Sequence, residues 1–358
     1  MSGPVHAGVH REEASPLRLA VGLGAIYLIW GSTYLAIRYA IVTLPPLFMA
    51  GIRFLVAGSV LYAWLRARGA PSPEPRRWPT AILSGVLMVA LANGGVAWAE
   101  RTVPSGIAAL TVATTPLWLV VLAWLHPKEE SPTRGEWLGV VAGLAGVALL
   151  VAPGDDVLGS GVDPVGFVAL LLASLAWAAG SIHNRFAELP RPQLLGTSMT
   201  MISGGVLLVV VAVAGGELRG FDPRSVTATS LLALAYLIVL GSIVAFSVYM
   251  WLIRSARPAV VGTYAYVNPL VALVLGWLVA AEPLTPRALL AASVILGSVV
   301  VVNRSSWRRK RRGHVEARTV RAGPGAASRR IQTPPPDASG PGLAKQDDSA
   351  GATAPAKQ

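Results

Sequence analysis

The sequence predicts an all-α integral membrane protein with ten transmembrane helices in two inverted five-helix repeats. The first observation is composition: 53% of the 358 residues are hydrophobic and 13% are charged, and the mean hydropathy is +0.57. An ordinary soluble domain carries about 25% charged residues. The second is segment length, because about 20 helical residues cross a hydrocarbon core about 30 Å thick. The third is an internal duplication.

Apolar segments of spanning length recur along the chain, separated by stretches rich in Pro, Gly and charged residues. A short polar N-terminal segment, 1–17, precedes them, and a basic, Pro-rich tail, 304–358, follows and is expected to be disordered. The predicted helices are 18–37, 46–65, 79–99, 105–125, 135–152, 164–183, 193–214, 228–252, 259–281 and 286–303.

The duplication is visible in residues that composition alone does not explain. Trp98 matches Trp251 at a distance of 153 residues, and the same offset pairs arginines, prolines and glutamates. Near the start of each half, Trp30 matches Trp177 at a distance of 147 residues. The further matching pairs are Arg101 with Arg254, Pro116 with Pro269, Glu129 with Glu282, Arg38 with Arg185, Pro45 with Pro192 and Gly58 with Gly205. The repeats are predicted to be 18–152 and 153–303.

The Lys and Arg residues predict the orientation in the membrane. If the N-terminus is cytoplasmic, 18 cations flank the helices on the inside and five lie in outside loops, as the positive-inside rule requires. Both termini are then cytoplasmic, and the cell membrane is the expected location. Because each repeat has an odd number of helices, the second must enter the membrane from the opposite side. Inverted repeats of this kind typically build transporters with a substrate site between the halves.

Several function classes are excluded or weakened by the residues present. The net charge of +12 is distributed over loops on one side, which favours contact with membrane lipid and argues against nucleic acid. The chain contains no cysteine, no phosphate-binding loop and no nucleophile motif. No catalytic residue, metal site or cofactor is therefore predicted, and a small-molecule substrate is the expected partner. The sequence leaves the oligomeric state open.

Arg53 is the most informative single residue. It lies about eight residues into the second helix, or roughly 12 Å deep, where a charge costs about 2.5–3.5 kcal/mol to insert. Either it lines or braces a translocation cavity, or it binds carbonyls of neighbouring helices for structural reasons alone. The sequence places no Asp or Glu at comparable depth, so we expect no intramembrane ion pair and no carboxylate proton relay.

Polar and aromatic residues share helix faces at several places, and such groups need partners within hydrocarbon. One interpretation is a mixed aromatic and polar pocket for a small amphipathic solute. The alternative is interhelical hydrogen bonding and interfacial tryptophans. The candidate substrate-binding residues are Trp30, Tyr34, Arg53, Asn93, Trp98, Thr111, Thr115, Trp177, Asn184, Tyr264 and Asn268.

Pro116 and Pro269 interrupt equivalent helices. A proline removes one helical hydrogen bond and frees a carbonyl group. These sites are interpreted as hinges, with static kinks as the alternative.

Three stretches carry a family resemblance: WGSTYLAIRY from Trp30, PPLFMAGIRFLVAG from Pro45, and WAERTVPSGIAALTVATTPL from Trp98. Over about residues 18–303 the chain resembles an EamA-type member of the drug/metabolite transporter superfamily. The resemblance implies ten helices in two inverted repeats and a central cavity bounded by helices 1, 3, 4, 6, 8 and 9. It also implies that the family's arginine in the second helix corresponds to Arg53 and its proline in the fourth helix to Pro116. The glutamate after the fourth helix corresponds to Glu129 or Glu130, and its counterpart in the second repeat corresponds to Glu282. Thr200 departs from the pattern, because it stands where a second arginine would lie.

The resemblance implies a secondary transporter that exports amino acids, small metabolites or drugs by alternating access. Two alternatives remain at this point. A membrane-embedded enzyme acting on lipid or isoprenoid would need clustered His, Asp or Glu residues, and a passive channel would show non-saturating flux.

Overall fold

The computed structural model describes residues 16–125, 132–151, 163–186, 192–255 and 264–322, and every regular element in these ranges is helical. The all-α class is therefore confirmed. The α-helices are α1 (Pro16–Ala40), α2 (Pro46–Ala67), α3 (Trp78–Ser84), α4 (Gly94–Ala99), α5 (Ser105–Val112), α6 (Thr115–Leu125), α7 (Arg134–Val151), α8 (Pro164–Phe186), α9 (Gln193–Ala214), α10 (Ala228–Tyr236), α11 (Ala245–Ser255), α12 (Tyr264–Ala280) and α13 (Pro286–Ala322).

Within the described ranges, seven helical stretches are long and apolar enough to cross a membrane. Two shorter apolar helices, Val267–Ala280 and Pro286–Val302, accompany them. The seven are Leu17–Ala40, Pro46–Ala67, Pro75–Ala99, Ser105–Leu122, Pro164–Asn184, Gln193–Ala214 and Ala228–Tyr249. A multi-pass membrane protein is thus supported, whereas the number of ten spans stays a prediction.

Two of these stretches change from α to π geometry in mid-course. The segment Gly85–Asn93 joins α3 to α4, and Leu237–Val244 joins α10 to α11. Their first residues lie 152 positions apart, close to the repeat offset, so the two segments occupy equivalent places in the two halves. π-Helical geometry is rare and is found frequently at functional sites.

Helices α2 and α9 are equivalent in the duplication and pack against each other through glycine. A Cβ atom added to Gly58 would lie 2.9 Å from the carbonyl oxygen of Ser198, and one added to Gly205 would lie 3.0 Å from that of Gly51. The residue numbers of the contacting positions increase along α2 as they decrease along α9, so the two helices run antiparallel. At the offset of 147, Gly58 corresponds to Gly205 and Gly51 to Ser198, so the contacts are reciprocal.

Helix α1 crosses from one half to the other and lies beside α12. A Cβ atom on Gly31 would come within 2.6 Å of Val271 Cβ, and the Tyr39 hydroxyl donates to the Val279 carbonyl at 3.1 Å. Residue numbers rise together along this pair, so α1 and α12 run parallel. Close backbone approach through small residues is the usual way in which membrane helices associate.

Two helix N-termini are capped by carboxylates that are distant in sequence. Glu217 accepts the N–H groups of Leu47 and Phe48, each at 3.1 Å, at the start of α2. Glu282 accepts the N–H groups of Ser105 at 2.9 Å and Gly106 at 3.1 Å, at the start of α5. A negative charge is favourable there because the helix dipole and unpaired N–H groups point at it.

The structure differs from the predicted helix pattern in two places. The fourth predicted helix is divided into α5 and α6, and the last helix continues to Ala322, into the tail expected to be disordered. The compact unit that holds the helices ends at Arg309, and a separate unit begins at Lys310. Glu129 and Glu130 lie outside the described residues.

Candidate functional site

An aromatic cluster forms where the two halves meet, with Tyr264 of α12 at its centre. The Trp30 ring centroid lies 5.3 Å from that of Tyr264 and 5.2 Å from that of Tyr249. Phe246 lies edge-on to Trp30 at 5.6 Å. The side chain of Trp177 hydrogen-bonds with Tyr264. The two repeat-equivalent tryptophans therefore contact the same tyrosine, and a shared substrate pocket stays a prediction.

The π segment Leu237–Val244 binds two of the predicted site residues. Trp30 Nε1 donates to the Gly241 carbonyl at 3.1 Å, and Arg53 Nε donates to Ser242 Oγ at 2.9 Å. Gly241 has no side chain, and a Cβ atom there would lie 3.2 Å from the Arg53 guanidinium. Glycine at this position therefore lets α1 and α2 approach the wide turn closely.

Arg53 is only 4% exposed, and its guanidinium lies 4.6 Å from the centroid of the Phe54 ring. Its hydrogen-bond partner is the hydroxyl of Ser242 rather than a main-chain carbonyl. Glu100 lies within electrostatic reach of it. Arg53 and Glu100 form no ion pair in the described structure, and the absence of an intramembrane ion pair stays a prediction.

Glu100 is the residue that the sequence analysis undervalued. It follows α4 directly, is 2% exposed, and neither of its carboxylate oxygens has a hydrogen-bond partner within the described structure. Burial raises the pKa of this carboxyl well above its ordinary value, and the charge of Glu282 raises it further. Its helical spacing from Asn93, two turns away, was the available signal.

Two of the three predicted asparagines, Asn93 and Asn184, come together at Met88, inside the π segment Gly85–Asn93. Asn93 Nδ2 donates to the Met88 carbonyl at 2.7 Å, and Asn184 Nδ2 to its sulfur at 3.1 Å. Ser84 Oγ donates to Asn184 Oδ1. The π segment Gly85–Asn93 thus contacts a polar group of α8, as the π segment Leu237–Val244 contacts those of α1 and α2.

The helix break between α5 and α6 creates a small hydroxyl network. Thr114 Oγ1 and Ser174 Oγ lie 3.2 Å apart, and Trp118 Nε1 donates to Ser174 at 2.9 Å. Thr111 and Thr115 instead donate to carbonyls of their own turns, those of Ile107 and Val112. Ser174 was missed because a lone serine in an apolar helix carries no distinguishing pattern.

The remaining predicted residues have separate surroundings. Asn268 is buried, and its Oδ1 atom has no hydrogen-bond partner within the described structure. Trp98 lies under the guanidinium of Arg101, which is 4.4 Å from the centroid of the Trp98 ring. Pro116 is the second residue of α6, directly after the break, whereas Pro269 lies inside the continuous helix α12.

Three helix ends meet at Glu282. The Glu282 carboxylate caps α5 and accepts the Ser105 hydroxyl at 2.9 Å, and Arg38 Nε lies 3.4 Å from the same oxygen. The turn that aims Glu282 requires Ala281 in the left-handed region, with φ 52°. Within the described ranges, no group of three or more His, Asp or Glu residues could hold a metal ion.

Comparison with known proteins agrees with this architecture. The sequence profile described as the EamA-like transporter family matches residues 19–152 and again 164–304. A protein named as an uncharacterized inner membrane transporter, YedA of Escherichia coli strain K12, is 41% identical over 287 residues, covering 80% of this chain and 90% of its own.

More distant relatives and a solved structure extend the likeness. The Bacillus subtilis transporter YvbV is 25% identical over 82% of this chain and 94% of its own, and Protein PecM of Dickeya dadantii is 27% identical over 76% and 88%. A crystal structure with 22% identity aligns with a TM-score of 0.56 over 81% of this chain and 98% of its own, which bears on the fold alone. The two profile matches and the YedA identity establish that this chain belongs to the EamA-like transporter family.

Proposed function

We propose that this chain is a secondary transporter of the cell membrane that exports amino acids, small metabolites or drugs by alternating access. Its ten spans form two inverted five-helix repeats with both termini in the cytoplasm. The substrate binds between the halves, at the cluster around Tyr264, and Pro116 and Pro269 act as hinges.

The observation that carries the proposal is the reciprocal contact between α2 and α9. These equivalent helices contact each other at equivalent residues and run antiparallel. They are therefore related by an approximate two-fold axis perpendicular to the helix axes. Such an axis is expected for inverted repeats, in which exchanging the conformations of the halves turns an inward-facing cavity outward. The equivalent π segments support the same arrangement, because one contacts Trp30 and Arg53 and the other contacts Asn184.

The chemistry of the cluster supports a small amphipathic substrate. Trp30, Trp177 and Tyr264 offer aromatic faces and a hydroxyl, and Asn268 Oδ1 is a buried acceptor with no partner in the described structure. Pockets for small molecules combine apolar walls with a few polar groups that fix orientation. The contacts of Arg38, Ser105 and Glu282 join three helix ends and would supply the closed end that alternating access needs.

Transport is tested by counterflow in proteoliposomes of phosphatidylethanolamine and phosphatidylglycerol. Vesicles loaded with unlabelled amino acids should take up labelled ones in a saturable manner, and the recovered solute should be chemically unchanged. Tyr264→Ala should abolish uptake, whereas Trp64→Ala is the matched control because Trp64 is 48% exposed on the outer face of α2. A chemically altered solute would indicate an enzyme, and non-saturating flux would indicate a channel.

Topology is tested separately, and the absence of native cysteine makes this direct. Single-cysteine variants at positions 38 and 185 should react with a membrane-impermeant thiol reagent from opposite sides of the membrane. Labelling of both from the same side would refute the inverted arrangement.

A further inference from the structure

The buried carboxylates of this protein fall into two kinds. Glu136 and Glu282 each accept a backbone N–H group, from Thr133 and from Ser105 respectively. Glu100 is buried as deeply as Glu136, yet both of its oxygens lack a hydrogen-bond partner within the described structure. A carboxylate ion in that position would lose its hydration without any compensating donor.

Charged and titratable groups face Glu100 from three other elements. Tyr34 and Arg38 lie on α1, Arg53 lies on α2, and Glu282 follows α12. Both cations already have partners, because Arg38 pairs with Glu282 and Arg53 donates to Ser242. They lower the energy of a negative charge at Glu100 but supply it with no hydrogen bond.

This arrangement selects the proton among possible cationic ligands. A metal ion or an ammonium group needs several oxygen donors at one site. The other carboxylate near Glu100, that of Glu282, already binds the N-terminus of α5 and Arg38. Arg38 and Arg53 would also repel a second cation of any size. A proton needs one oxygen only, and it removes the charge that burial penalises.

We propose that Glu100 is the proton-binding residue that couples transport to the proton gradient. In the conformation described here it is a neutral carboxylic acid: a proton from the aqueous phase has formed one O–H bond, and no electron is transferred. When the helix ends around Glu282 separate, water reaches the carboxyl, the flanking arginines favour its ionised form, and the proton leaves to the opposite side. This inference rests on the proposed transport function.

Infrared spectroscopy of the purified protein tests proton binding without any substrate. The wild type should show the carbonyl band of a protonated carboxylic acid at neutral pH, and the band should disappear on titration to alkaline pH. Glu100→Gln, which is close in shape to the neutral acid, should lack that band, whereas the control Glu217→Gln should keep it. A wild-type band that survives in Glu100→Gln, or no such band at neutral pH, would overturn the proposal.

Accumulation in proteoliposomes tests the coupling. With an imposed pH gradient, wild type should concentrate labelled amino acids, and Glu217→Gln should do the same. Glu100→Gln should still exchange them in counterflow but reach only equal concentrations on both sides, and Glu100→Asp should retain part of the coupling. Undiminished accumulation by a folded Glu100→Gln would refute it.

The infrared and proteoliposome experiments distinguish failure of the proposed transport function from failure of the proposed role of Glu100. Absence of amino acid counterflow in the wild type would overturn amino acids as the substrate, and the infrared result would still decide whether Glu100 holds a proton. Normal counterflow without the acid band would overturn the role of Glu100 and leave transport intact.

Discussion

Glu282 holds three helix ends together, and the free energy of unfolding that is lost when its carboxylate is removed follows from its hydrogen-bond partners. Glu282→Ala would leave three buried donors unpaired: the N–H and hydroxyl of Ser105 and the N–H of Gly106. An unsatisfied buried donor costs about 1–3 kcal/mol. Three such donors, each at the low end of that range, give an expected loss of about 3 kcal/mol.

The same reasoning ranks the neighbouring variants. Glu282→Gln keeps one acceptor oxygen and should cost about 1–2 kcal/mol, and Ser105→Ala removes one hydroxyl donor and should cost about 1 kcal/mol. Arg38→Ala should cost less than about 1 kcal/mol, because Arg38 is 40% exposed and its pair with Glu282 is screened by solvent. The free energy of unfolding in mixed micelles, measured by titration with sodium dodecyl sulfate, gives this order.

A reporter cysteine distinguishes separation of the helix ends at Glu282 from global unfolding. Tyr34→Cys lies one turn before Arg38 on the same face of α1, behind the contacts of Glu282. A loss of about 3 kcal/mol corresponds to a shift on the order of 10² in the population of the open form, and thiol labelling at position 34 should accelerate accordingly. If Arg38→Ala destabilised the protein as much as Glu282→Ala, or if Glu282→Ala left labelling unchanged, the reasoning would be refuted.

Three further outcomes are expected. Arg53→Ala should lose transport or fold poorly, and Ser242→Ala should cost about 1.5–3 kcal/mol by removing the partner of a charged donor; wild-type flux from a well-folded Arg53→Ala would contradict this. Asp163 accepts Thr102 Oγ1 and the Gly166 N–H at the start of α8, and these hydrogen bonds lower its pKa. Its stabilising effect should be present above the pKa of the unfolded chain and lost as pH falls through the lower folded value, and Asp163→Asn should remove this pH dependence of the melting temperature. Deletion of the residues after Arg312 should leave counterflow intact, because the family match ends at residue 304; lost flux from a normally inserted protein would show that the tail takes part.

The helices were predictable from the sequence because hydropathy, together with the Pro, Gly and charged residues between the segments, determines them locally. The predicted segment 193–214 coincides with α9, and 46–65 ends two residues before α2 does. Trp30, Trp177 and Tyr264 were candidates because polar and aromatic helix faces were expected to turn inward, and their role in binding a substrate stays a prediction.

The π segments and the Glu100 site were not predictable, for different reasons. A π turn differs from an α turn only in which carbonyl each N–H reaches, and Gly85–Asn93 has the composition of any apolar helix. Glu100 stands next to Arg101 in a connecting segment, which is the pattern of a solvated interfacial pair. Its burial, to 2% exposure, becomes visible only in the folded chain.

The glycine contact between α2 and α9 has a mechanical consequence. Points on a two-fold axis keep their positions when the two repeats exchange conformations. The contact between α2 and α9 would therefore serve as the pivot of a rocking cycle. Alanine at Gly58 or at Gly205 would push the backbones apart at that pivot. Both end states would then be strained alike, and the protein would lose turnover speed and stability without acquiring a preference for either facing direction.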